Sequence, residues 1–112
     1  MRRGEVWWAS LDAPLGSGPG YRRPVLVLQS NDFNESSIGT TVIVALTTNL
    51  RLAAAPGNVL CRRRDTGLPR DSVANASQVL TVDKRFLTER VGALPLRRLR
   101  AVEEGVRLVL SL

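Results

Sequence analysis

The chain has 112 residues, a length that fits one domain, and its 44% hydrophobic and 23% charged residues exclude a fully disordered protein. It has no histidine and one cysteine, Cys61, which excludes imidazole-based catalysis, an internal disulfide framework and a cysteine-based zinc site. Sixteen lysine and arginine residues, of which only Lys84 is lysine, against ten acidic residues give a net charge of +6, which favours nucleic acid or an acidic protein as the partner.

The sequence shows no membrane or secretion signal. Its longest aliphatic run, residues 42–46, is far shorter than the roughly 18 apolar residues that a membrane span needs. No apolar segment follows residues 1–5. We therefore expect a cytoplasmic protein that does not enter a membrane, and the single cysteine agrees with a reducing compartment.

The first half of the chain predicts three strands, over residues 4–10, 24–29 and 40–46. The second of them begins with proline, which a strand tolerates at its first position. Residues 13–20 contain three Gly and two Pro and predict a loop. Residues 30–37 are polar and predict a connection with one helical turn.

The second half predicts shorter elements and then a helix. A loop is expected over residues 53–57 and a turn over 65–69, and Asp83 is expected to cap a short turn over 84–87. Short strands are predicted over residues 58–62, 72–76, 78–82 and 91–94.

The last segment has the periodicity of an amphipathic helix that starts at Pro95. Its apolar positions are Leu96, Leu99, Val102, Val106 and Val109, and its outer positions are Arg97, Arg98, Arg100, Glu103 and Glu104. Several short strands with one terminal helix predict a mainly β fold, either a small β-barrel or a strongly bent sheet capped by the helix.

Two polar clusters lie at predicted strand ends. Tyr21, Arg22 and Arg23 precede the second strand, where an arginine that faces a pocket would clamp a phosphate. Thr47 and Thr48 follow the strongest strand, where hydroxyl groups can donate to phosphate oxygens. Spacing alone favours the simpler interpretation for both clusters, a solvated arginine pair and ordinary turn residues.

Other groups have structural explanations as well. The triple arginine of residues 62–64 can bind nucleic acid, but it also protects an edge strand from pairing with another chain, and we favour the second explanation. Trp7 and Trp8 point to opposite faces of a strand, so one belongs to the core, and the other is exposed, lies at an interface or offers a stacking surface for a base. A core or interface position is favoured over base stacking. Asp71 and Asp83 are interpreted as turn or cap residues.

The order of the segments resembles the MazF/PemK family of toxins from toxin–antitoxin systems. The segments that carry the resemblance are residues 3–7, 16–17, 23–27, 29–32, 41–47, 56–59, 70–73 and 78–84. The resemblance implies one domain over residues 1–112, with an SH3-like β-barrel, short helical turns and a C-terminal helix. It also implies a homodimer, and an acidic, disordered antitoxin that covers the RNA groove.

The same resemblance implies a metal-independent, sequence-specific endoribonuclease that cuts single-stranded mRNA without a cofactor. The family's catalytic arginine and threonine match Arg23 and Thr47. The residues expected to contact RNA are Ser77 and Gln78, by match to the family's segment, and Tyr21, Arg22 and Thr48, by proximity to the groove.

This chain departs from the family at two positions that are often acidic, Gly18 in the first loop and Ser77 before the glutamine. The identity of the general base therefore stays open. Two other functions also stay open. One is a gyrase poison of the CcdB family, which shares the fold but acts through a tryptophan-containing tail, whereas this chain ends Leu110-Ser111-Leu112. The other is an RNA-binding module without catalysis.

Overall fold

The computed structural model describes residues 1–11, 16–17 and 21–112. Within these residues the strands are β1 (Glu5–Ser10), β2 (Arg22–Val27), β3 (Thr40–Thr47), β4 (Val59–Cys61), β5 (Ser72–Asp83) and β6 (Leu87–Ala93). The helices are α1 (Asn31–Glu35), α2 (Arg63–Thr66) and α3 (Leu96–Leu110), with short 3₁₀ turns over Leu50–Ala54 and Lys84–Phe86. The loop predicted over residues 13–20 lies mostly outside the described residues. None of the described helices is long and apolar enough to cross a membrane.

The strands form one antiparallel sheet in the order β4-β5-β3-β2-β1-β6. The sheet curls into a half-barrel, because the end of β5 is joined to β6 by the 3₁₀ turn over Lys84–Phe86 while β6 pairs with β1. Asp83 caps that turn by accepting a hydrogen bond from the backbone N–H of Arg85, as predicted. The mainly β fold with a bent sheet and a C-terminal helix is confirmed.

Two apolar clusters lie on the two faces of the sheet. One includes Val25, Val27 and Ile43 from alternate positions of β2 and β3. The other includes Leu26 and Val44, whose side chains point the opposite way, together with residues of α3. The continuous aliphatic runs of β2 and β3 are thus explained, since both of their faces are covered.

Strand β2 begins at Arg22, two residues before the predicted start, so Pro24 lies inside the strand. The ladder tolerates this proline for two reasons. First, hydrogen-bonded and non-hydrogen-bonded pairs alternate between β1 and β2. The N–H of Leu11 donates to the carbonyl of Tyr21, so that pair is hydrogen-bonded, and the Trp8–Pro24 pair, three positions further on, is not. On its other side, β2 pairs with β3 only from Val25 onward.

The prediction of two strands over residues 72–76 and 78–82 was wrong, because the chain forms one strand, β5, with a register shift in the middle. Val44 of β3 pairs with Val79, while Leu46 pairs with Ala74, so residues 75–78 lie opposite a single residue. The shift bends the strand, as bulges do. The N–H of Ala76 is instead satisfied by the side-chain oxygen of Asn58, at 2.9 Å.

Helix α3 buries Leu99, Val102 and Val106 as the periodicity predicts. Leu96 and Val109 do not follow it, since they stay 61% and 41% exposed. The buried stripe continues instead through Gly105, where the helix backbone lies against the turn at residues 56–58. The periodicity could not reveal this contact, because glycine carries no apolar side chain.

Short helical pieces replace two predicted loops. Residues 50–54 form a 3₁₀ turn rather than an open loop, and α2 occupies the start of the turn predicted over residues 65–69. The N-terminus of α2 is held by two carboxylates. Asp65 accepts from the backbone N–H of Arg62, and Asp71 accepts from that of Arg63 at 2.8 Å. Gly67 ends the helix with a φ of 83°, which glycine adopts without strain.

Candidate functional site

A cleft of about 400 Å³ opens where β2 and β3 separate. Their last paired residues on this side are Val25 and Ala45. If this register is continued by two residues, Arg23 lies opposite Thr47, and both residues line the cleft. The full lining consists of Trp8, Arg22, Arg23, Pro24, Leu46, Thr47, Thr48, Leu68, Pro69, Arg70 and Ser72. Four of the predicted site residues, Arg22, Arg23, Thr47 and Thr48, are thereby brought together.

Arg23 is positioned to receive an anion. Its backbone is held extended, because it lies within β2 directly before Pro24. The side chain is half-buried, and no carboxylate forms an ion pair with it among the residues that the structure describes. Its guanidinium can therefore take two oxygens of a phosphate without first breaking an internal contact.

Thr47 has its hydroxyl oriented by the backbone. The N–H of Asn49 donates to Thr47 Oγ1 at 3.2 Å. A hydroxyl has one proton and two lone pairs, so this contact occupies a lone pair and leaves the proton available. Thr47 can thus act as a hydrogen-bond donor toward a ligand in the cleft, and Thr48 lies exposed beside it.

The other three predicted site residues do not line the cleft. Tyr21 is 68% exposed, with a φ of 56°, at the start of β2. Ser77 Oγ donates to Asn75 Oδ1, and Gln78 Nε2 donates to the carbonyl of Ser17 at 3.1 Å, so Gln78 connects β5 to the first loop.

The general base has no carboxylate candidate within the cleft lining among the described residues. Gly18, a position that the resemblance implies is often acidic, lies outside the described part of the chain. Asp71 is adjacent but unsuited to the role, because hydrogen bonds from the Arg63 backbone and the Arg62 side chain hold the pKa of its carboxyl below the ordinary range.

Sequence reasoning missed two polar lining residues, Arg70 and Ser72. The hydroxyl of Ser72 is buried and has no hydrogen-bond partner among the described residues, and Arg70 is exposed at the rim. Both follow a turn that contains Gly67 and Pro69. The pairing of β5 with β3, which sets Val73 opposite Thr47, brings the end of that turn to the cleft. Position in the chain alone gave no signal for them.

The remaining candidate groups have the structural roles that were favoured for them. Residues 62–64 are exposed beside β4, which is an edge strand, and Arg62 pairs with Asp71. Cys61 is buried, and that burial raises the pKa of its thiol to about 11, so it is no nucleophile. Within the described residues, no group of three acidic or thiol side chains is placed to hold a metal ion.

Comparison with known proteins agrees with this geometry. A family model described as "PemK-like, MazF-like toxin of type II toxin-antitoxin system" matches residues 2–110. Endoribonuclease MazF6 of Mycobacterium tuberculosis is 46% identical over 112 residues, which cover 100% of this chain and 98% of the relative. MazF of Deinococcus radiodurans has a TM-score of 0.83 at 22% identity, covering 100% of this chain and 97% of that one. A mycobacterial endoribonuclease solved in complex with its cognate antitoxin has a TM-score of 0.78 at 25% identity, covering 100% and 96%.

Proposed function

The chain belongs to the PemK-like, MazF-like toxins of type II toxin–antitoxin systems, and on that premise we propose that it is the endoribonuclease toxin of such a module. It cuts single-stranded mRNA at a short sequence and so inhibits translation and growth. The observation that carries the proposal is the cleft between β2 and β3, in which Arg23 and Thr47 lie together. The full-length relative at 46% identity is itself an endoribonuclease, which supports the reaction class.

The reaction uses a nucleophile that RNA provides, the 2′-hydroxyl next to the scissile phosphate. Its oxygen attacks phosphorus while the bond to the 5′-oxygen of the next nucleotide breaks, and the products carry a 2′,3′-cyclic phosphate and a 5′-hydroxyl. The substrate's own nucleophile makes a metal-activated water unnecessary. What the protein must supply is stabilisation of the extra negative charge on the pentavalent phosphorus.

Arg23 supplies that charge stabilisation through two charge-assisted hydrogen bonds to the non-bridging oxygens. Since a guanidinium stays protonated at all ordinary pH values, its role is electrostatic rather than proton transfer. Thr47, whose proton is left free by the Asn49 contact, donates to a non-bridging oxygen or orients the 2′-hydroxyl. Arg70 at the rim holds a neighbouring phosphate, and Ser77 and Gln78 contact the strand beyond the cleft.

The partners follow from charge and family. An acidic, disordered segment of a cognate antitoxin would cover the cleft and compete with RNA for its arginines. The mycobacterial relative that was solved with its cognate antitoxin supports this assignment. We also propose one domain over residues 1–112, acting in the cytoplasm as a homodimer. The exposed Leu108, Leu110 and Leu112 near the end of α3 support association of two copies.

Cleavage of a long single-stranded RNA tests the function. Purified wild type and Arg23→Ala are compared with Arg100→Ala, which removes the same charge from an exposed position of α3. We expect cuts at a short recurring motif from wild type and from Arg100→Ala, and none from Arg23→Ala. If the folded, antitoxin-free wild type cuts nothing, the nuclease is rejected. A supercoiling assay and an RNA-binding assay then separate a gyrase poison from a binding module.

A further inference from the structure

Three side chains form a row across β6, β1 and β2 at the edge of the cleft. Glu89 pairs directly with Trp8. Trp8 pairs with Pro24, and Arg22 lies two residues before Pro24, so its side chain is on the same face of the sheet. The row therefore follows from the register of the three strands, not from proximity in the sequence.

The contacts within this row hold one guanidinium in place. Arg22 Cζ lies 4.1 Å from the centroid of the Trp8 ring, which is a cation–π distance. Arg22 Nη2 donates to Glu89 Oε2 at 3.2 Å. One face of the guanidinium is thus covered by the indole and one edge is held by a carboxylate. We call this group the Trp8–Arg22–Glu89 stack.

The stack is open on its outer side. The Arg22 side chain is 55% exposed, although it is held at both the indole and the carboxylate. Trp8 and Arg22 line the cleft with Arg23 and Thr47, whereas Glu89 does not. The Arg22 and Arg23 side chains leave β2 on opposite faces, but both residues line the same cleft. The free face of the Arg22 guanidinium is therefore a flat surface at the rim of the cleft in which a phosphate would be held.

The two adjacent arginines are suited to different ligands. Arg23 forms no ion pair among the described residues, so its charge is available for a phosphate. The charge of Arg22 is already balanced by Glu89, which makes it a weaker phosphate ligand. A planar guanidinium whose orientation is fixed in advance is instead suited to stacking on an unpaired nucleobase.

We propose that the Trp8–Arg22–Glu89 stack is a platform for the nucleobase of a nucleotide that flanks the scissile phosphate. Arg22 contacts the base, while Trp8 and Glu89 are positioning residues that hold the guanidinium plane. The platform favours RNA with a base at that position over RNA that lacks one. The inference rests on the proposed function only in requiring that the cleft binds single-stranded RNA.

Binding measured without cleavage tests the platform. The probe is a short RNA that the protein retains from a mixed pool, made with 2′-fluoro riboses so that it cannot be cut. A series of such RNAs places one abasic residue at each position in turn, and fluorescence anisotropy gives each Kd. We expect wild type to lose about 10-fold in affinity at one position, as the loss of a single base stack typically costs.

Arg22→Lys is the decisive variant, because it keeps the charge and removes the plane. We expect it to bind the intact RNA about 10-fold more weakly than wild type does. Its affinity for the RNA that is abasic at that one position should equal its affinity for the intact RNA. Arg90→Lys is the matched control, since Arg90 is an exposed arginine of the same sheet, paired with Glu5 outside the cleft. It should reproduce the wild-type series.

The positioning residues have a readout of their own. Trp8→Phe keeps a ring under Arg22, so its RNA affinity should still fall at the single abasic position. Trp8→Leu removes the ring, and its affinity should no longer depend on the base at that position. Glu89→Gln should lose less affinity than wild type at the abasic position, but still lose some. Thermal unfolding identifies any variant that fails to fold. If Trp8→Leu fails, Arg22→Lys still tests the platform, because the Arg22 side chain is exposed.

Either of two results would overturn the platform. One is that Arg22→Lys still loses affinity at the same abasic position as wild type. The other is that Arg90→Lys weakens binding as much as Arg22→Lys. Cleavage of ordinary RNA is scored separately, so a protein that shows the abasic dependence but never cuts RNA would reject the nuclease and keep the platform.

Discussion

At the residue scale, Thr47 is prepared for donation before any ligand arrives. Asn49 N–H occupies one lone pair of its hydroxyl, 3.2 Å away, and the proton remains free. We expect Thr47→Val, which keeps the shape and removes the hydroxyl, to lower the single-turnover cleavage rate on the order of 10²–10³-fold. Thr47→Ser should keep most of the rate. Equal rates for Thr47→Val and wild type would remove Thr47 from the mechanism.

The individual site residues were predictable only in part from the sequence. Arg23 and Thr47 were proposed through the resemblance to the MazF/PemK family, because spacing alone favoured a solvated arginine pair and ordinary turn residues at these positions. Trp7 and Trp8 were predicted to divide into one core and one surface residue, but both are half-buried, each against a different apolar cluster. The contacts of Trp8 with Arg22 and Glu89 come from two other strands. The neighbours of Trp8 are set by strand register, and a sequence pattern within one strand does not contain that information.

At the element scale, the packing of α3 depends on one position without a side chain. A Cβ at Gly105 would overlap the carbonyl oxygen of Gly57. Ala is otherwise favoured over Gly in a helix by about 1 kcal/mol, yet we expect Gly105→Ala to lower the free energy of unfolding by about 1–3 kcal/mol, because the helix must move. Urea denaturation measures the change.

The control for this prediction is Gly39→Ala. Gly39 has no atom within 4 Å of the position that a Cβ would occupy, and its backbone is not in the left-handed region. We expect a change within about 0.5 kcal/mol. A Gly105→Ala variant as stable as Gly39→Ala would contradict the close approach of α3 to the turn at residues 56–58.

The anchoring of α2 predicts a pH dependence of stability. Hydrogen bonds from the Arg63 backbone and the Arg62 side chain lower the pKa of Asp71 in the folded protein. Because the pKa of Asp71 is lower in the folded than in the unfolded protein, its ionised carboxylate stabilises the fold at any pH above the unfolded-state pKa. This stabilisation is lost as the pH falls through the folded-state pKa. Asp71→Asn should therefore lower Tm at neutral pH and match wild type at strongly acidic pH. Glu104→Gln, at an exposed side chain of α3, should follow wild type throughout. A Tm gap independent of pH would contradict the anchor.

Some elements are determined by their own sequence, and others by pairing with a distant part of the chain. Strand β3 and helix α3 were predicted because β-branched runs and 3.6-residue periodicity are local properties. Strand β5 was predicted as two pieces, residues 72–76 and 78–82, which leave out only Ser77. They stay in one strand because β5 pairs with β3 on both sides of a register shift. Such a shift depends on the partner strand and is invisible in β5 alone.

At the scale of the whole molecule, the net charge is +6, and part of the positive charge lies at the cleft where the ligand is expected. Three of the described residues that line the cleft are arginines, Arg22, Arg23 and Arg70. Each phosphate contact to a single strand contributes about −0.7 to the slope of log K against log salt concentration. We expect Arg70→Gln to reduce the slope by that amount and to weaken all RNA sequences alike. Arg100→Gln should leave the slope unchanged, and an unchanged slope in Arg70→Gln would exclude a phosphate contact there.

We propose above that the protein uses the 2′-hydroxyl of its RNA as the nucleophile. The most direct test cuts a defined RNA in the presence of EDTA, beside the same RNA with one 2′-deoxynucleotide on the 5′ side of the mapped cut. We expect a 2′,3′-cyclic phosphate and a 5′-hydroxyl at the cut in the all-ribose RNA, and no cut at the deoxy position while other sites are still cleaved. Cleavage at the deoxy position, 5′-phosphate ends, or loss of all cleavage in EDTA would contradict it.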